Sequence, residues 1–96
     1  MNSLEFTILR NLVTNDEYRR QVYPYLKTEY FESDYNTVLF TLISEFISKY
    51  EKCPTQESLE VDLYNKKNIS DETFTNVMTL IGELDPDGCD YKWLID

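Results

Sequence analysis

Between Val38 and Tyr50 the apolar residues arrive as adjacent pairs every fourth position: Val38 and Leu39, Leu42 and Ile43, Phe46 and Ile47, then Tyr50. A repeat of that period forms one continuous apolar stripe only on an α-helix. The spacing therefore predicts a buried helix of roughly four turns. Ser33 can cap its start, and Ser44, Glu45, Ser48 and Lys49 fall on the solvent side. A chain of 96 residues holds one modest core, so the remaining segments must pack around this helix.

Those segments carry helix signals of their own. Leu4 to Val13 follows Asn2, with Glu5 three residues on at capping-box spacing, and Ile8, Leu9, Leu12 and Val13 share a face. Asn15 opens a second, short helix with Asp16 and Glu17 at its positive end and Arg19 and Arg20 nearer its other end; Pro24 ends it. After Cys53-Pro54, Thr55 can cap a fourth helix carrying Leu59 and Leu63. Ser70, Asp71 and Glu72 start a fifth, with Phe74, Val77, Met78, Ile81 and Leu84 inward. Asp85-Pro86-Asp87-Gly88 is a turn by composition, and Tyr91 to Ile95 reads as the start of a sixth helix. No strand-like alternation occurs, and with two Gly and three Pro the chain is poor in turn formers. The expected fold is all-α, a compact bundle of about five helices plus the start of a sixth. Its core should contain Leu9, Leu12, Leu39, Leu42, Ile43, Phe46, Leu59, Phe74, Met78 and Ile81.

Charge narrows the function. Nine Lys and Arg against 18 Asp and Glu give −9, and the imbalance is concentrated in residues 51–96. Binding to DNA depends on cations at phosphates, so little direct nucleic-acid binding is expected. The same sign discourages anionic membranes and suits a basic protein partner, or serves solubility alone. No apolar run approaches the ~20 residues that span a bilayer, and the N-terminus lacks the pattern of a secretion signal. Cys53 and Cys89 read as reduced thiols of a cytoplasmic protein rather than a disulfide framework.

Catalytic chemistry finds no foothold. Histidine is absent, and Gly82 and Gly88 are the only glycines, which rules out a Gly-rich phosphate loop. Cys and His clusters for zinc do not occur. The stretch Asp85 to Asp90, with Asp96 at the twelfth position, has a calcium-loop flavour. However, Cys89 stands where an oxygen ligand belongs and Asp90 where Gly belongs, so an acidic turn is expected and no metal. Tyr18, Tyr23, Tyr25, Tyr30 and Phe31 cluster with few cations; core packing with phenols at the surface is expected rather than a stacking platform for single strands.

The order of segments carries a resemblance. Leu9-Arg10-Asn11-Leu12-Val13 comes first, then Val22-Tyr23-Pro24-Tyr25-Leu26 running on to Glu29-Tyr30-Phe31-Glu32-Ser33. The long helix follows, then Tyr50-Glu51-Lys52-Cys53-Pro54-Thr55, and last a helix with Met78, Ile81 and Leu84. This resembles the N-terminal head of DnaB-like replicative DNA helicases, the tailed-phage ones most of all. It is a pattern of packing residues covering nearly the whole chain, with no catalytic motif in it. The resemblance implies that residues 1–96 form a single collar domain, with the helical hairpin and RecA-like motor beyond them. The hairpin would begin near Trp93, and the gene is expected to continue past Asp96. ATP and Mg would belong to the motor, so no catalytic or cofactor-binding residue carries over, and nucleotide hydrolysis by this chain alone is not expected.

Six such heads form a collar on the motor ring in that family, where primase or a helicase loader docks. Expected partners are therefore other helicase subunits and primase or a loader, with this chain alone a monomer or weak oligomer. Tyr91, Trp93 and Leu94 are candidate partner contacts, or else fold back over the fifth helix. The rival reading is a free-standing acidic phage protein that regulates a host protein by occupying its nucleic-acid site.

Overall fold

Four of the polar residues that the sequence marks as helix starts do bind the first turn of a helix in the computed structural model, which describes residues 3–84. Asn15 accepts from the Tyr18 N–H at 3.0 Å and Ser33 from that of Asn36 at 3.5 Å. Thr55 accepts from the Ser58 N–H at 3.1 Å while Ser58 Oγ accepts from the Thr55 N–H at 3.0 Å, a reciprocal capping box. Ser70 Oγ accepts from the Thr73 N–H at 3.1 Å. Each bond satisfies a donor that the helix geometry leaves without a partner, typically worth about 1 kcal/mol.

Among the described residues five helices result: α1 (Ser3–Thr14), α2 (Asp16–Val22), α3 (Asp34–Tyr50), α4 (Gln56–Tyr64) and α5 (Asp71–Leu84). Two single 3-10 turns, Tyr23–Tyr25 and Thr28–Tyr30, join α2 to α3, and no strand occurs among the described residues. Pro24 sits inside the first of these turns and ends α2 as its missing N–H requires. The chain leaves α3 through Glu51, whose left-handed backbone (φ 55°) lets its N–H bond the Ile47 carbonyl at 2.7 Å. Asn68 takes a left-handed backbone too, before α5.

Helix α3 is the centre, packed by α1, α4 and α5. Leu39, Leu42 and Ile43 are fully buried, against Leu9, Leu12 and Val13 of α1, Leu59 and Leu63 of α4, and Val77, Ile81 and Leu84 of α5. Each such side chain contributes about 1.5–3 kcal/mol by leaving water. Phe46 and Ile47 are buried as well, but Tyr50 at the end of the stripe is half exposed. Phe74 and Met78, expected in the core, lie only partly buried at its edge, because α5 turns Leu80 inward instead. Phe40, which lies outside the paired pattern, is buried by Phe31, stacked on it at 4.8 Å between ring centroids.

The link between α2 and α3 is fastened by Tyr23. Its ring tilts against Phe40, and its hydroxyl lies 2.8 Å from Ser44 Oγ, 3.1 Å from Ser48 Oγ and 3.2 Å from the Ser44 carbonyl. Tyr23→Phe is expected to lower stability by about 1 kcal/mol, since the ring stays while one hydroxyl's bonds are lost. A shift in the urea midpoint with unchanged slope would show it.

Candidate interaction surfaces

Helix α4 is apolar on two sides. Leu59 and Leu63 face the core, while Val61 and Tyr64 stand out, 50% and 71% exposed. The end of α3 adds Tyr50, half exposed, whose ring packs on Phe46 at 4.6 Å; the Tyr64 ring meets Phe74 edge-on at 5.1 Å. Two shallow grooves of about 380 Å³ each flank the Phe46–Tyr50 pair, one running toward Val61 and Thr55, the other toward Asn65. The rim carries both signs. Lys66 Nζ lies 3.4 Å from a Glu45 carboxylate oxygen, Lys49 Nζ lies 5.4 Å from the centre of the Tyr50 ring, and Asp62 borders both grooves. Exposed pairs of this kind contribute little stability but can set the orientation of a neighbour.

On another side a cleft of about 520 Å³ opens between the start of α3 and the outer part of α5. Its α3 wall is held by Glu5 of α1, a carboxylate only 4% exposed. Glu5 accepts from the Glu32 N–H at 3.0 Å, the Ser33 N–H at 3.4 Å and Asn36 Nδ2 at 3.1 Å. The sequence had suggested a capping box for Glu5 within its own helix. Its carboxylate instead reaches across to the chain entering α3, where N–H groups and the positive end of the helix favour a negative charge. Asn2, the other half of that expected box, lies outside the described residues. At the cleft's edge the Tyr35 hydroxyl donates to Glu72 at 3.0 Å. That bond, with smaller effects of burial and of the Glu72 and Asp34 charges, raises the phenol's pKa above its ordinary value. Its contribution is complete below the ordinary phenol range and fades as pH rises through the raised value.

A third feature is a buried ion pair. Asp16, 4% exposed, takes Arg19 Nη2 at 2.6 Å and Arg20 Nη2 at 2.7 Å. Arg19 is itself buried, whereas the Arg20 side chain is largely in solvent. Burial alone would lower the Arg19 pKa. The hydrogen bond and charge of Asp16, helped by Cys53, outweigh it, so the pKa lies above its usual value. The cation stays charged at any ordinary pH. Cys53 is a buried cysteine whose Sγ lies 3.5 Å from the Leu12 carbonyl oxygen.

The aromatic cluster around α2 divides. Phe31 is buried and Tyr18 and Tyr23 partly so, but Tyr25 (78% exposed) and Tyr30 (56%) project into solvent, contrary to the core packing expected of them. Tyr18 lies on α2, whereas Tyr23 to Phe31 pass through two separate short 3-10 turns, so no continuous helix puts the five rings on one face. Sequence reasoning missed Glu5, Asp16, Arg19 and Asn36 as buried polar residues; their types are common on helix surfaces, and only long-range packing encloses them. Tyr91, Trp93 and Leu94, the acidic turn from Asp85 and Cys89 lie outside the described residues. Among the described residues no group of three or more His, Cys, Asp or Glu is placed to hold a metal ion, and no helix is long and apolar enough to cross a membrane.

No known family profile matches the chain. It is similar to the DnaB-like replicative helicase of Enterobacteria phage T4, with 33% identity over 88 residues. The match takes in 92% of this chain and 18% of that helicase. The chain thus corresponds to less than a fifth of the length of its curated relative.

Proposed function

We propose that this chain, similar over 92% of its length to a DnaB-like replicative helicase, acts as a non-catalytic scaffold domain of such a helicase, in the N-terminal collar, where it meets neighbouring subunits and a primase or loader. The observation that carries this reading is the extent of the match: a domain-sized helical unit aligns nearly end to end with a minor part of a helicase. ATP hydrolysis and strand movement then belong to the rest of such a machine. An acidic head suits a collar, since it leaves the translocated strand free to pass.

The α3–α4 face is the subunit contact in this reading. Tyr50, Val61 and Tyr64 form an exposed apolar group, and the mixed charges on its rim allow two copies to pair Glu45 or Asp62 of one with Lys49 or Lys66 of the other. Such a contact is weak in an isolated head, because a few side chains cover less than the ~800 Å² per partner of a stable interface.

Sedimentation of the 96-residue chain is expected to show concentration-dependent self-association in the high-micromolar range. Val61→Asp and Tyr64→Asp together should weaken it about tenfold or more by placing unpaired charges in the contact. Both positions are exposed, so the fold survives the change. Unaltered association in the double variant, or a strictly monomeric wild type at about millimolar concentration, would remove this face from the collar contact. Self-association of the unaltered chain into a tight hexamer would contradict the weak-contact reading.

A further inference from the structure

The cleft between α3 and α5 lies where two long cation-free stretches meet. Residues 28–48 contain no Lys or Arg but include Glu29, Glu32, Asp34 and Glu45; residues 68–84 contain none either, but include Asp71, Glu72 and Glu83. The tertiary packing lays α3 along α5, so the two stretches become the walls of one groove. Exposed Glu32 stands on one wall and exposed Glu83 on the other, with buried Leu80 and Asn36 on the deep side. Leu80 and the partly buried Tyr35 supply the apolar surface of the lining.

The helix start that borders the groove does not reverse this sign. Glu5 accepts from the Glu32 and Ser33 N–H groups just before the helix, and the Ser33 cap accepts from the Asn36 N–H, so a buried carboxylate already offsets the positive end of α3 from inside while Glu32 and Glu83 face solvent. Asn76 donates Nδ2 to the Glu72 carbonyl at 2.8 Å and Thr79 donates its hydroxyl to the Thr75 carbonyl at 3.0 Å. What both side chains can offer a ligand is chiefly oxygen acceptors.

We propose that this cleft docks an arginine-bearing segment of a basic protein partner. The arginine stem lies over Leu80 and the Tyr35 ring, and its guanidinium sits between Glu32 and Glu83 with Asn76 and Thr79 as further acceptors. A planar head with five donors and an apolar stem matches an apolar groove rimmed by oxygen acceptors better than a lysine ammonium does. Nucleic acid carries the wrong sign for these walls, and so does a second copy of a chain with net charge −9. The inference stands on the charge layout of this chain and is independent of the subunit contact assigned to α3 and α4.

The test is an amide-resolved NMR titration of the whole chain with the peptide acetyl-Arg-Leu-Leu-Arg-amide, against the same peptide with citrulline for arginine. Saturable shifts are expected at residues 32–36 and 76–83, and none with the citrulline peptide, which keeps the shape and loses the charge. Glu32→Gln with Glu83→Gln should weaken binding about tenfold. Glu57→Gln with Glu60→Gln, which removes as much charge from α4, should leave it unchanged. All four glutamates lie at least partly in solvent, so folding is not at stake. The proposal is overturned by shifts spread over α4 as strongly as the cleft, by equal binding in the Glu32/Glu83 variant, or by no saturable shift at millimolar peptide. Unaltered self-association in Val61→Asp with Tyr64→Asp, with peptide binding retained, would strike the collar contact alone.

Discussion

Asp16→Asn is expected to cost about 3–5 kcal/mol, the range seen when one partner of a buried ion pair is removed. Arg19 is the reason: its guanidinium is buried and, with its pKa held above the usual value, cannot shed its charge. Asparagine still offers one oxygen but no charge, so the cation is left enclosed and only partly answered. Arg20 adds little, because its side chain remains in water and an exposed pair is weak. A domain of this size has a total stability of roughly 5–10 kcal/mol, so the variant would be close to unfolded at moderate temperature. Urea denaturation of Asp16→Asn, Arg19→Met and the double variant forms the check. The double variant should recover much of the loss, since the charge that needed a partner is gone. A loss below about 1 kcal/mol for Asp16→Asn would place the pair in solvent.

Glu5→Ala ranks second, at about 3 kcal/mol. One carboxylate accepts from two backbone N–H groups and one amide, and removing it leaves all three donors without that acceptor near the start of α3. Glu5→Gln should be milder, because one oxygen survives while its NH₂ faces other donors. The loss has a local signature: hydrogen exchange at the Glu32 and Ser33 amides should speed up in Glu5→Ala beyond what global unfolding accounts for. Equal exchange at those amides, after allowance for overall stability, would mean that Glu5 does not fasten the entry to α3.

The helices were legible because their signals are short-range. Asn15, Ser33, Thr55 and Ser70 each cap the helix that the sequence assigns to them. The pairs from Val38 onward read as one buried face because i, i+4 neighbours lie together on any α-helix. Even so, the same pattern misjudged the edges. Tyr50 completes the period but stays half exposed at the end of α3, and Met78 keeps the right spacing on a helix rotated to bury Leu80.

The candidate surfaces were far less visible. Charge counting along the chain showed an acid excess in the second half, yet the groove it helps to form takes one wall from the first half. Val61 and Tyr64 look like ordinary members of an apolar helix until Leu59 and Leu63 take the inward side. Tyr25, Tyr30 and Phe31 are alike in composition, and only the two 3-10 turns decide which ring stacks on Phe40.

By itself the sequence determined that this chain is helical, where its helices begin, and that its surface is acidic. Those properties follow from hydrogen-bond donors a few residues apart, from a 3.6-residue period and from a count of charges. Only the tertiary structure decided that Glu5 holds the entry to α3 from 27 residues away or more, that Asp16 and Arg19 are enclosed, and that two cation-free stretches line one cleft. The physical reason is that a side chain's burial and its distant partner depend on how whole helices pack, and local spacing carries no record of that.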